Sequence, residues 1–172
     1  MQIKRNKQLG LAAALLLGST VSSAAAYDWN YVGVNYYDHF SDGLLLEGSV
    51  ALNEHLVADI EVADTHITTI RAGVNYLTGL ELAGELPVYL TGGYSDYDVD
   101  DGFYAGVGLT YRLNRDVSGF AELVRDTSFD SFNRLQAGLR YQLNEDFSAG
   151  VQFSSNTSGV NNEFQFGVRY HF

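Results

Sequence analysis

The sequence predicts an all-β fold: an antiparallel up-and-down transmembrane barrel of ten strands, with eight as the alternative, a polar interior and an apolar, lipid-facing exterior. Three observations predict it. Nearly every segment beyond residue 26 alternates apolar and polar or small residues with period two, and no segment longer than about ten residues carries a convincing helical period. The alternating segments run for about nine to eleven residues, the length a tilted strand needs to cross a bilayer. Their polar faces hold Glu47, Asp59, Glu61, Glu122 and Glu163 with Arg71, Arg112, Arg134, Arg140 and Arg169, five charges of each sign, whereas the remainder of the chain is strongly acidic. A soluble β-sandwich would bury its apolar faces instead. Balanced charge on one face and acidic connections suit a barrel turned inside out.

The chain opens with Lys4, Arg5 and Lys7, the apolar run Leu9 to Leu17 and the small residues Ser19 to Ala26. These are the parts of a Sec-type secretory leader, with Ala24-Ala25-Ala26 as the cleavage site and Tyr27 as the expected mature N-terminus. The domain division is therefore leader 1–26 and barrel 27–172. The apolar run is too short to span a bilayer, and the absence of cysteine excludes a lipid-anchored lipoprotein, a disulfide framework and a thiolate metal site. Without the leader, 146 residues carry seven Arg, no Lys and 21 acids, a net charge of −14. So acidic a chain repels phosphate backbones, which excludes nucleic acid as a partner.

The expected strands lie near 29–37, 43–52, 56–64, 67–76, 87–96, 102–112, 117–126, 132–142, 146–154 and 162–172. In the sixth, Phe103, Ala105, Val107, Leu109 and Tyr111 form an apolar face against Tyr104, Gly106, Gly108, Thr110 and Arg112. The same split recurs in the others. The stretch 77–86 is irregular and is the reason eight strands stay open as the alternative. Leu52-Asn53, Leu113-Asn114 and Leu143-Asn144 repeat about 30 residues apart, with Leu82 in the gap, and mark one turn per pair of strands. Even strand number puts these turns and both termini on the periplasmic side; the short segments 38–42, 64–66, 97–101, 127–131 and 155–161 then face outward.

Aromatic residues sit near strand ends on the apolar face, among them Tyr36, Tyr76, Tyr94, Phe103, Tyr111, Tyr141, Phe153, Phe164 and Phe172, where interfacial girdles belong. A row of inward glycines, Gly33, Gly73, Gly93, Gly106, Gly108, Gly138, Gly150 and Gly167, lets a narrow barrel curve and leaves room for long side chains inside. The last strand places Phe164, Phe166, Val168, Tyr170 and Phe172 at every second position and ends on Phe. This resembles the assembly signal of bacterial outer-membrane β-barrels, and the chain from Tyr27 is similar to the small barrels of the OmpA and OmpX type. The opening hairpin, with Trp29-Asn30-Tyr31-Val32, Asp42-Gly43 and Gly48-Ser49-Val50-Ala51, also resembles a family of small barrels first noted in plant-pathogenic bacteria. The resemblance implies a monomer of the Gram-negative outer membrane that contacts outer-membrane lipids and lipopolysaccharide and engages the barrel-assembly machinery through its C-terminal strand.

Candidate chemistry is sparse. The run Asp96-Tyr97-Asp98-Val99-Asp100-Asp101 suggests Ca²⁺, but Asp101 and Val107 stand where an EF-hand needs Gly and Glu; bridging to lipopolysaccharide phosphates and a plain solvated loop are the other readings. Asp38, His39, Ser41 and Asp42, and again Asp64 with His66, supply triad residue types, yet adjacency in sequence is not triad geometry. No catalytic residue, metal or cofactor is expected. The interior charges carry more: a hairpin centred on 64–66 sets Asp59 opposite Arg71, and Glu122 lies diagonal to Arg134, pairs that satisfy one another in a plugged lumen. A structural or surface-interaction barrel is the expectation, with a narrow path for ions or small solutes as the alternative.

Overall fold

In the computed structural model, which describes residues 27–38 and 42–172, the alternation resolves into ten strands. They are β1 (Tyr31–Asp38), β2 (Asp42–Ala51), β3 (Leu56–Asp64), β4 (Thr68–Leu82), β5 (Leu86–Asp96), β6 (Asp101–Arg112), β7 (Val117–Asp126), β8 (Phe132–Gln142), β9 (Phe147–Asn156) and β10 (Glu163–His171). Each pairs antiparallel with its sequence neighbours, and β1 pairs with β10 from Tyr31↔His171 to Asp38↔Phe164, so the sheet closes and has no edge. The leader and its cleavage site, like His39 and Ser41, lie outside the described residues.

The repeat Leu-Asn has a local cause. The side-chain oxygen of Asn53 accepts the backbone N–H of His55 at 2.8 Å and of Leu56 at 2.9 Å. Asn114 does the same for Asp116 and Val117, and Asn144 for Asp146 and Phe147, all at 2.9 Å. One Asx turn is thus used three times, each closed by a backbone bond from the preceding leucine. The fourth connection at that end differs. β4 runs on to Leu82 with a register shift between Leu77 and Glu81, and the turn is made by Ala83 and Gly84 with positive φ. The irregular stretch 77–86 is this bulged hairpin, and it leaves the strand count at ten.

Outward side chains such as Leu46, Leu90, Val107, Leu135 and Phe166 are exposed, while their neighbours in sequence are buried or half-buried. Outward aromatics form two belts. Tyr76, Tyr141, Phe147 and Tyr170 ring the end with the Leu-Asn turns, and Tyr36, Tyr94, Phe103 and Phe164 ring the end with the longer loops. Inside, the glycine row is a set of sockets. A side chain at Gly108 would run into the Tyr89 ring, one at Gly73 into the Tyr104 hydroxyl, and one at Gly138 into Phe120. Each of these glycines is the space a ring from a nearby strand fills.

Candidate functional site

The lumen is where the chain concentrates its polar chemistry. Its tightest cluster joins four strands: Glu47 on β2 accepts the Arg169 guanidinium of β10 through both oxygens, Nε at 2.6 Å and Nη2 at 2.5 Å. Arg140 of β8 adds a second cation at 3.5 Å, and Asn35 of β1 donates to the same carboxylate at 2.9 Å. Arg169 lies 3.6 Å from the Tyr31 ring centroid and donates its Nη1 to the Tyr27 hydroxyl at 2.7 Å. Bidentate pairing in a water-poor lumen is the strong form of the interaction. Two further pairs follow, Arg71 with Glu61 at 3.1 Å and Arg134 with Glu163 at 3.6 Å. The guanidinium of Arg71 also sits over the Tyr104 ring at 4.6 Å.

Two of the expected interactions fall differently. The β3–β4 turn is the three residues 65–67, held by the Thr65 N–H and hydroxyl on the Ile67 carbonyl, so Asp64 pairs Thr68 and Arg71 faces Glu61 rather than Asp59. Asp59 faces Gly73 and takes the Asn75 amide at 2.9 Å. Glu122 does lie diagonal to Arg134, but its hydrogen bond comes from Gln136 at 2.9 Å. Among the described residues, Asp59 and Glu122 have no arginine at ion-pair distance. The second correction is Arg112. It ends β6 and is exposed at the turn end of the barrel, because the sheet stops there and the long side chain reaches water. The other nine residues of the expected charge set face the interior.

The alternation also brings in residues that charge alone did not single out. Tyr27 and Trp29 precede β1 and point into the lumen, 7% and 9% exposed, on the inward face that Tyr31 continues. They pack against Val57, Tyr89 and Phe120, with Trp29 edge-on to Tyr89 at 5.3 Å and Tyr27 edge-on to Phe120 at 6.4 Å. The signal was present as an aromatic at every second position, 27, 29 and 31. Between the two rings Asp28 turns outward, its carboxylate 3.2 Å from His171 Nδ1, and His171 Nε2 is 2.8 Å from the Ser148 hydroxyl. Burial raises the Asp28 pKa, but the His171 and Asn30 hydrogen bonds outweigh it and hold the carboxyl below its ordinary value. Ser, His and Asp stand in the order of a nucleophilic triad. The serine is sealed, however, at 1% exposure, and does not line the luminal cavity, so the chain of contacts anchors Asp28 to the last strand.

At the loop end, the carboxylates expected to face water are used as caps. Asp98 accepts the Thr68 N–H at 2.9 Å, Asp96 the Asp98 N–H at 3.1 Å, and Asp100 the Phe129 N–H at 2.5 Å. Asp126, fully buried, takes the Ser95 hydroxyl at 2.9 Å, the Ser128 hydroxyl at 2.6 Å and the Tyr97 hydroxyl at 3.3 Å. Tyr97 is thereby turned inward, 1% exposed, onto Phe129, which in turn meets Phe132. Burial raises the Tyr97 pKa, so the hydroxyl stays a donor. Short loops can therefore cover this end even though none is long enough to fold deep into the barrel. Between the two closures lies a cavity of about 70 Å³, lined by Tyr27, Trp29, Tyr89, Asp59, Glu122 and Gln136 among others.

No protein-family model matches the chain, and no curated protein matches its sequence. Solved structures do share its fold. A KdgM porin in complex with disordered oligogalacturonate aligns with a TM-score of 0.57 at 10% identity, over 83% of this chain and 99% of that one. A NanC porin aligns at 0.55 and 13% identity over 83% and 99%. The outer membrane protein Omp33 of Acinetobacter baumannii aligns at 0.51 and 8% identity over 86% and 100%. At such identities the likeness establishes the fold: this chain has the architecture of small outer-membrane β-barrels.

Proposed function

We propose that this chain is a monomeric, non-enzymatic barrel of the Gram-negative outer membrane with a closed lumen and a structural or surface-interaction role. The leader 1–26, removed near Ala26 after Sec export, and the apolar belt between two aromatic rings support the placement. Outer-membrane lipids and lipopolysaccharide are the proposed surroundings of that belt. The alternating outward residues Phe164, Phe166, Val168, Tyr170 and Phe172 are proposed to present the last strand to the assembly machinery. One observation carries the closed reading: charged pairs and rings from opposite walls narrow the interior around a cavity of about 70 Å³, lined by Tyr27, Trp29, Arg71, Glu122 and Arg169 among others, which has room for a few water molecules.

The second reading, a narrow channel for ions or small solutes, is favoured by the porin neighbours and by guanidinium donors inside the lumen. Arg134 Nε and Nη2 and Arg71 Nε have no hydrogen-bond partner. The experiment that separates them is conductance of refolded, heat-modifiable protein in a planar bilayer. The closed barrel is expected to be silent, and Arg71→Ala to loosen it into irregular leaks. Steady, salt-dependent openings of the unaltered protein, with selectivity altered by Arg71→Ala, would overturn the closed reading.

A further inference from the structure

The closure at the turn end is built unlike the rest of the barrel. Residues Tyr27 to Trp29 lie ahead of β1 and make no ladder hydrogen bond, whereas the Asn30 carbonyl accepts the Phe172 N–H at 3.3 Å. With the leader removed, as proposed above, Tyr27–Trp29 enter the lumen as a segment fastened covalently at the β1 side alone. Two rings go in and Asp28 between them stays half in water, its side chain 54% exposed. The contacts that hold the segment are nameable: Arg169 on the Tyr27 hydroxyl, the Tyr27 ring edge-on to Phe120, His171 on Asp28, the Asn30 side-chain oxygen on the Ala51 N–H at 2.9 Å, and the Trp29 ring against Tyr89, with Ala51 and Val57 in the same apolar cluster. Withdrawing residues 27–29 would break none of the ladder hydrogen bonds that close the barrel. Extracting any strand would break two rows of them.

The neighbouring Asx turns cannot do this work. The three Asx turns are tight, and their side chains, from Leu52, Leu113 and Leu143, are exposed on the rim rather than drawn over the opening. Thr110, 3% exposed, and Tyr89, 4% exposed, line a cavity of about 150 Å³ together with Trp29 and the β4–β5 hairpin.

We propose that Tyr27–Trp29 is a displaceable stopper that closes the lumen at its turn end, latched to the last strand through Arg169 and through Asp28, His171 and Ser148. The proposal rests on the closed-lumen reading above and deepens it by naming the part that opens. When the stopper leaves, the aromatic seat of Tyr89 and Phe120 and the carboxylates Asp59 and Glu122 become open to the solution on that side.

The absence of native cysteine makes the test direct. Thr110→Cys is introduced into the full chain, alone and together with Tyr27→Gly and Trp29→Gly, and its reaction with a charged methanethiosulfonate is timed in folded, heat-modifiable protein. Slow labelling in the first protein and at least tenfold faster labelling in the second is the expected result, with Ser95→Cys at the loop end unchanged by the same pair. Slow labelling in both overturns the stopper while leaving the closed lumen standing; fast labelling in both overturns the two together. Should the glycine pair fail to fold, Asp28→Ala, at a half-exposed position, replaces it. A severalfold faster rate at Thr110→Cys then supports the latch, and an unchanged rate overturns it.

Discussion

The two ends of the lumen are closed by different means. At the loop end, the cover is made by connections held by strands on both sides: Asp126 gathers Ser95, Tyr97 and Ser128, and Asp100 caps Phe129, so the 97–100 loop is pinned to the 127–131 loop. At the turn end, three of the four connections are Asx turns whose leucines stay on the rim, the fourth is the bulged hairpin of β4 and β5, and the cover is the segment ahead of β1. The comparison teaches that a barrel with short turns must borrow its closure from outside the sheet. A borrowed closure can be removed without unmaking the fold, whereas the loop closure is part of the fold.

The largest expected effect comes from Glu47, because it serves both the turn-end cover and the wall. Glu47→Ala leaves Arg169 and Arg140 buried without their carboxylate, a loss of about 3–5 kcal/mol of the kind seen when one partner of a buried pair is removed. A drop in the urea midpoint of heat-modifiable migration checks it; a midpoint within error of the unaltered protein would show that the knot is solvated. Next, Asp126→Ala should cost about 1–3 kcal/mol, since four donors on three residues lose their acceptor in a buried place. It should also free the 97–100 and 127–131 loops for limited proteolysis while labelling of Thr110→Cys stays slow. Faster labelling there would mean the two ends are coupled and the comparison fails. The smallest effect is at the turns. Asn144→Ala removes two exposed backbone caps and should cost about 1 kcal/mol, read as a small midpoint shift with both ends still closed.

Much of this was legible without coordinates, for a physical reason. Alternation is local, since each side chain's face follows from its neighbours and from the need to keep apolar groups in lipid and charges out of it. That need specifies the all-β class, all ten strands to within two residues of their ends except β4, which runs six residues further through the bulge, and the inward face of nine of ten candidate charges. The Leu-Asn turns are local too, and so is the glycine row, whose meaning as sockets for Tyr89, Tyr104 and Phe120 follows once the strands are aligned. Arg112 keeps the inward parity but escaped because, as the last residue of β6, it stands at the rim, where a long side chain reaches water.

What only the tertiary structure decided is which groups meet. A hairpin centre one residue further along exchanges Asp59 for Glu61 as the partner of Arg71, since a turn of 65–67 in place of 64–66 moves every cross-strand pairing by two. Glu47 with Arg169 is a contact across 122 residues, made possible only when β1 and β10 close the ring. The stopper belongs to the same class: an aromatic at positions 27, 29 and 31 could be read from the sequence, but that the first two cross the opening to Tyr89 and Phe120 depends on the width of the closed barrel, which no single strand contains.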